Sequence, residues 1–182
     1  MLIRFSKAIA SRIRQLVYRL LGVKILGHCS FGSVSIPRNY KSITISGGCG
    51  LDDRVTLLSV NENNVPGKIL IGERTYINRN TIIDACNQIQ IGNDCAIGPN
   101  CYITDHDHTF SASKKPLESP LSSKPTTIQN EAWIGANVVI LKGVTIGSRS
   151  IVGAGSVVTR SIPENSIAVG NPAKVIRRTD GV

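Results

Sequence analysis

From Ile128 to Pro163 the chain reads IQNEAW IGANVV ILKGVT IGSRSI VGAGSV VTRSIP. Ile128, Ile134, Ile140, Ile146, Val152 and Val158 stand six residues apart without a miss. The chain holds 24 Ile and 15 Val in 182 residues, so chance would produce such a run in about one start in ten thousand. A period of six is neither the 3.6 of a helix nor the 2 of a hairpin. It suits a β-solenoid in which each hexapeptide supplies one short strand and one corner, three of them closing a triangular coil of about 18 residues. The aliphatic residue points inward and stacks on its equivalent one coil away.

The same phase recurs at Ile91, Ile97, Ile103 and at Ile71, Ile77, Ile83. A looser version runs through Ile45, Leu51 and Leu57, and back to Ile25 and Phe31. Glycine often follows the aliphatic residue, as at Gly72, Gly92, Gly98, Gly135, Gly147 and Gly153. Four residues after it stands something small or β-branched: Thr75, Thr81, Ala132, Ser150 and others. Cys29, Cys49, Cys95 and Cys101 occupy that slot, which predicts core filling rather than chemistry. Only 8 residues are aromatic, as closely stacked short strands require.

Composition removes several classes. No run of about 18 apolar residues exists, so a membrane-spanning helix is not expected. Arg and Lys break up the first 22 residues too often for a signal-peptide apolar region. Five cysteines without CxxC spacing argue against a zinc ribbon or a secreted disulfide scaffold and suit a reducing cytoplasm. The net charge is +9, yet basic and aromatic residues do not interleave, so nucleic acid is not an expected partner.

The expected organisation is an amphipathic helix over 1–24, a solenoid over 25–162 interrupted by a long loop at 105–127, and a C-terminal extension over 163–182. Smaller breaks fall near 59–68 and 84–90. Phe5, Ile9, Ile13, Leu16 and Leu20 form the helix's apolar stripe, with Arg4, Lys7, Arg14 and Tyr18 opposite. No acidic residue precedes Asp52. Such a helix suits a cap over the open first coil and equally a contact with an anionic membrane surface, placing the protein in the cytoplasm or at the inner membrane face. The loop opens with Asp105-His106-Asp107-His108 and carries no Ile or Val. A histidine near neutral pKa can take a proton from an alcohol or amine, and an adjacent Asp can orient its ring.

The pattern [Ile/Val/Leu]-Gly-x-x-[small]-x resembles the hexapeptide-repeat acyltransferases, which implies an all-β, left-handed parallel β-helix. IGPNCYITDHDHTF, the loop, and KPTTIQNEAWIGANVVILKGVTIG look like the sugar O-acetyltransferases of the galactoside, maltose and polysaccharide type. The resemblance implies transfer of an acetyl group from acetyl-CoA to a sugar hydroxyl or amine, by direct attack and without a metal. It places the general base at His108, with His106 as the second candidate. It assigns Asn78, Ala136, Ala154, Thr159, Arg160, Lys174 and Arg177 to the coenzyme A and acetyl site. Asp84 and Trp133 fall on the acceptor side. It further implies a homotrimer with sites between subunits, and acceptors that are sugars, sugar nucleotides or lipid-linked sugars of surface polysaccharide assembly. Two other readings stand beside it. One is a non-catalytic scaffold; the other is a metal hydrolyase like the gamma-type carbonic anhydrases, for which His28 lies several coils from the histidine pair.

Overall fold

The computed structural model describes residues 2–110, 115 and 118–179; the side chains of residues 2–6 lie outside the description, Arg4 and Phe5 among them. Strands of two to five residues lie on three parallel sheets, the faces of a prism. Face one runs Lys24–Ile25, Ile43–Ile45, Lys68–Ile71, Gln88–Ile91, Thr126–Ile128, Thr145–Ile146. Face two runs Ser30–Phe31, Gly50–Leu51, Tyr76–Ile77, Ala96–Ile97, Trp133–Ile134, Ile151–Val152, Ser166–Gly170. Face three runs Thr56–Ser59, Ile82–Ala85, Tyr102–Thr104, Val139–Ile140, Val157–Val158.

The six-residue period is the register of this stack. On face three Leu57, Ile83, Ile103, Ile140 and Val158 stand in one column, every one of them with no exposed surface. The small slot is buried too, and it does more than fill space. Cys49, Cys95 and Cys101 Sγ lie 2.9–3.1 Å from the carbonyls of Gly72, Gln129 and Gly135. Thr75 and Thr81 Oγ1 donate to those of Gly92 and Gly98 at 2.7 and 2.9 Å. These side chains tie each coil to the next. Glycine follows the aliphatic residue because successive corners touch through backbone: a Cβ on Gly98 would come within 2.6 Å of the Gly135 carbonyl carbon.

The third residue after the aliphatic one turns the corner with positive φ. Arg54, Arg74, Asn80, Asp94, Asn100, Glu131, Asn137, Arg149 and Asn165 all do so, and Gly48, Gly143 and Gly155 fill the same place. The excess of Asn, Asp and Gly there is a signal in the sequence beyond the small slot.

Coil length departs from 18 residues in most turns. Ile128 stands under Ile146, 18 residues on, but Ile71 under Ile91 is 20, Ile45 under Ile71 is 26, and Ile91 under Ile128 is 37. The extra residues at 59–68, 84–90 and 105–127 all follow a face-three strand and precede a face-one strand, so they share one edge. The long loop begins and ends as an antiparallel hairpin, His106–His108 against Leu121–Ser123. Face two also runs one rung beyond residue 162, where Ile151 and Val152 pair with Ile167 and Ala168. The chain then turns back as Ala173–Arg178, antiparallel to Ser166–Gly170.

The helix Leu2–Leu21 covers the first coil, but with its polar side. Ser11 and Gln15 are buried, while Ile13 and Leu16 are each 57% exposed and Leu20 is 80% exposed. The first coil has no coil before it, so its backbone groups need partners from elsewhere. The helix supplies them. Phe31 N–H donates to Ser11 Oγ at 2.8 Å, and Gln15 Nε2 donates to the Cys29 carbonyl at 2.8 Å. Tyr18 OH donates to the Val34 carbonyl at 2.9 Å, and Arg19 Nη2 to that of Gly27 at 2.7 Å.

Candidate active site

The edge between faces three and one gathers most of the chemistry. Here Asp84 aligns with Thr104 one coil on, and Asp105 and His106 follow as the chain leaves the coil. Asp105 is fully buried, and its carboxylate is held by backbone: Cys86 N–H donates to Oδ1 and Asn87 N–H to Oδ2, both at 2.8 Å. The Asp105 carbonyl accepts the Lys124 N–H at 2.8 Å, which closes the hairpin at its base. The two residues added at 84–90 thus provide the N–H groups that fix Asp105.

His106 lies between two carboxylates. Its Nδ1 is 3.0 Å from Asp105 Oδ1, and its Nε2 is 4.0 Å from Asp84 Oδ1. A carboxylate on Nδ1 places the proton there and leaves Nε2 as the free basic nitrogen. The Asp105 hydrogen bond raises the His106 pKa above 6.5, against the opposing effect of burial and with help from the Asp84 charge. Asp84 Oδ2 accepts the Tyr102 phenol at 2.8 Å, whereas the buried Oδ1 has no partner. Burial, and then the bond to Asp84, pushes the Tyr102 phenol up to about 12, so it stays a donor.

His108 is more exposed and sits further along the hairpin. Its Nδ1 donates to the Ser119 carbonyl at 3.0 Å, which also frees Nε2. Lys142 Nζ clamps the strand between the two histidines, bonding Asp107 Oδ1, Ser122 Oγ and the Ser122 carbonyl. Ser123 Oγ donates to Glu62 Oε2 at 2.8 Å, so the excursion at 59–68 braces the long one. Cys86 is buried among these groups, its thiol pushed up to about 11 by burial and the nearby carboxylates. It is no activated nucleophile.

The other candidates are spread over the prism. Thr159 aligns with Asp84 on the same edge, three coils down, and Arg160 follows it. Asn78, Ala136 and Ala154 lie on a different edge, between faces two and three. Ala154 sits one coil below Ala136, and both corners are open, small and partly exposed. Trp133 is 58% exposed on the outer surface of face two. Lys174 and Arg177 lie on the C-terminal hairpin, paired with Val169 and Ile167. A single chain therefore brings Asp84, His106 and His108 together but leaves Ala136 and Ala154 on the far side of face three. Sequence reading passed over Tyr102, Glu62 and Cys86. The coil register, which places Tyr102 beside Ile82 and Asp84 beside Thr104, draws in the first, and the bonds to Ser123 and Asp105 draw in the other two.

His28 lies under the helix with Arg12, Gln15 and Arg19, far from this edge. Among the described residues no group of three or more His, Cys, Asp or Glu is arranged to hold a metal ion. Among them, too, no helix is long and apolar enough to cross a membrane.

Residues 125–160 match the family model for the bacterial transferase hexapeptide (six repeats). The galactoside O-acetyltransferase of Escherichia coli (strain K12) is 41% identical over 109 residues, 60% of this chain and 53% of that protein. A protein of the same strain, provisionally named a lipopolysaccharide biosynthesis O-acetyl transferase, is 36% identical over 120 residues, 62% of this chain and 61% of its own. The solved structure of a galactoside acetyltransferase in complex with coenzyme A superposes with a TM-score of 0.65 at 28% identity, covering 91% of this chain and 70% of that one. The chain spans little more than half the length of the curated relatives it matches. Residues 125–160 thus carry the hexapeptide repeat, and over about 60% of its length the chain is similar in sequence to sugar O-acetyltransferases.

Proposed function

We propose that the protein transfers an acetyl group from acetyl-CoA to a hydroxyl of a sugar, with His106 as the general base. The observation that carries this reading is the His106 ring, oriented by buried Asp105 on one nitrogen and facing the unpartnered Asp84 Oδ1 with the other. The resemblance alone favoured His108. Burial, the carboxylate on Nδ1 and the nearness of Asp84 favour His106, with His108 at the rim of the same cleft. The acceptor hydroxyl gives its proton to His106 Nε2, and the Asp84 carboxylate beside that nitrogen stabilises the imidazolium that forms. The acceptor oxygen then attacks the thioester carbonyl, the carbon–sulfur bond breaks, and coenzyme A leaves as a thiol carrying that proton from His106. The names of two similar proteins, a galactoside O-acetyltransferase and a lipopolysaccharide biosynthesis O-acetyl transferase, support an acceptor among galactosides or the sugars of lipopolysaccharide assembly.

The open Ala136 and Ala154 corners fit the pantetheine arm, and Arg160, Lys174 and Arg177 fit the phosphates. Among the described residues none of those three cations is in an ion pair. The coil is taken to wind left-handed on the strength of the repeat match. The histidine edge and the alanine edge lie apart in one chain, which supports a cyclic trimer whose sites pair the histidine edge of one subunit with the alanine edge of the next. The outward ladder of face three, Ile82, Tyr102, Val139 and Val157, is apolar and suits that contact.

The test is release of free coenzyme A thiol from acetyl-CoA against galactosides, sugar nucleotides and lipid-linked sugars. Acceptor-dependent release should fall at least ~10²-fold in His106→Ala and far less in His108→Ala. A dead His108→Ala beside an active His106→Ala would move the base to His108. No binding of coenzyme A at all would overturn the acyl-transfer reading.

A further inference from the structure

We infer that the N-terminal helix docks the protein, apolar side down, onto an anionic membrane surface. This does not depend on the acyl-transfer reading.

The cap is made by the polar side of the helix, through Ser11, Gln15, Tyr18 and Arg19, so nothing in the fold uses the other side. At about 100° per residue, Ile9, Ile13, Leu16, Val17 and Leu20 share one arc of roughly that width. All five are exposed, and so is Leu21 at the helix end. An apolar stripe of that size needs a cover. Charge chooses which. Exposed Arg12 lines one border of the arc, while Arg19 beside it bonds the Gly27 carbonyl and Arg14, toward the coil, bonds that of Phe31. No acidic residue stands on the helix. Asp52 and Asp53 line the groove beneath the helix, Asp53 toward Lys7 and Arg14, on the side away from the arc. The long Arg12 stem can reach a lipid phosphate while the leucines enter the acyl boundary, and the net positive charge of the helix favours an anionic surface. A basic rim would instead repel the same rim of a second copy. In a cyclic trimer the three helices lie at one end, so three weak anchors act together.

The experiment is co-sedimentation of the full chain with vesicles of phosphatidylcholine, with and without about one-third phosphatidylglycerol. The wild type should pellet with the anionic vesicles, stay in solution with the neutral ones, and be released by high salt. Leu16→Glu/Leu20→Glu should weaken the partition at least ~10-fold and Arg12→Gln about fivefold, at an unchanged melting temperature and oligomeric mass. Equal binding to both vesicle types, or no loss of binding in either variant, would overturn the proposal. So would a fall in the oligomeric mass of Leu16→Glu/Leu20→Glu, which would place a second copy on this face.

Discussion

At the residue scale the decisive group is Asp105, a side chain with no exposed surface that spends both oxygens on backbone N–H donors and one of them also on His106. Its hydrogen bond is the largest cause of the raised His106 pKa. A general base works only in its neutral form, so kcat/KM should fall as pH drops through a value above 6.5. Asp105→Asn should lower kcat/KM by about 10²-fold or more and move that acid limb to lower pH, measured on the coenzyme A release assay. The same shift has a stability consequence. A histidine whose folded pKa is raised adds stability below its unfolded value near 6.5, and that gain is lost as pH rises through the raised folded value. The denaturation midpoint of Asp105→Asn should show a smaller dependence of this kind, since the Asp84 charge remains.

At the scale of elements, the helix shows how an amphipathic pattern can mislead about which side is covered. The open end of a β-solenoid is a row of unpaired N–H and C=O groups, not an oily surface. Hydrogen-bonding side chains close it, and the apolar stripe is left outside. Gln15→Leu should therefore destabilise the protein although it adds an apolar residue to a buried position. It strips the Cys29 carbonyl of the Gln15 donor, a loss of about 1–3 kcal/mol readable as a lower urea midpoint. A cap that worked by apolar burial would give the opposite sign. The long loop has the same logic. Its hairpin is held by Lys142, Glu62 and the Lys124 N–H, all distant in sequence from the histidines they position.

At the scale of the molecule, all three insertions fall on one edge of the prism, and that edge holds Asp84, Asp105 and both histidines. A regular coil offers only corners and flat faces, so a cleft has to be built from what departs from regularity. In the proposed trimer the coenzyme A candidates Ala136 and Ala154, on another edge, would meet that cleft through a neighbouring subunit. Val139→Asp, on the outer ladder of face three, should convert the proposed trimer to monomer, read by sedimentation velocity. It should also abolish coenzyme A release while leaving the far-ultraviolet spectrum intact, because its neighbours across the ladder are on the surface and the core column is untouched.

The columns of Ile, Leu and Val, the small slot, the amphipathic helix and the positions of all three insertions could be read from the sequence. Each depends on a local period, and a period of six admits one register. The histidine pair could be found as well, because residues 105–127 carry no Ile or Val and stand out against the repeat. The choice between His106 and His108 could not. It turns on which ring meets Asp105 and Asp84, and coils of 20 and 37 residues bring those groups together from separate rungs. Nor could the sequence say which side of the helix faces the coil. Hydrophobicity sets the stripe, but the unpaired backbone of the first coil sets the contact, and only the tertiary structure brings the two into one place.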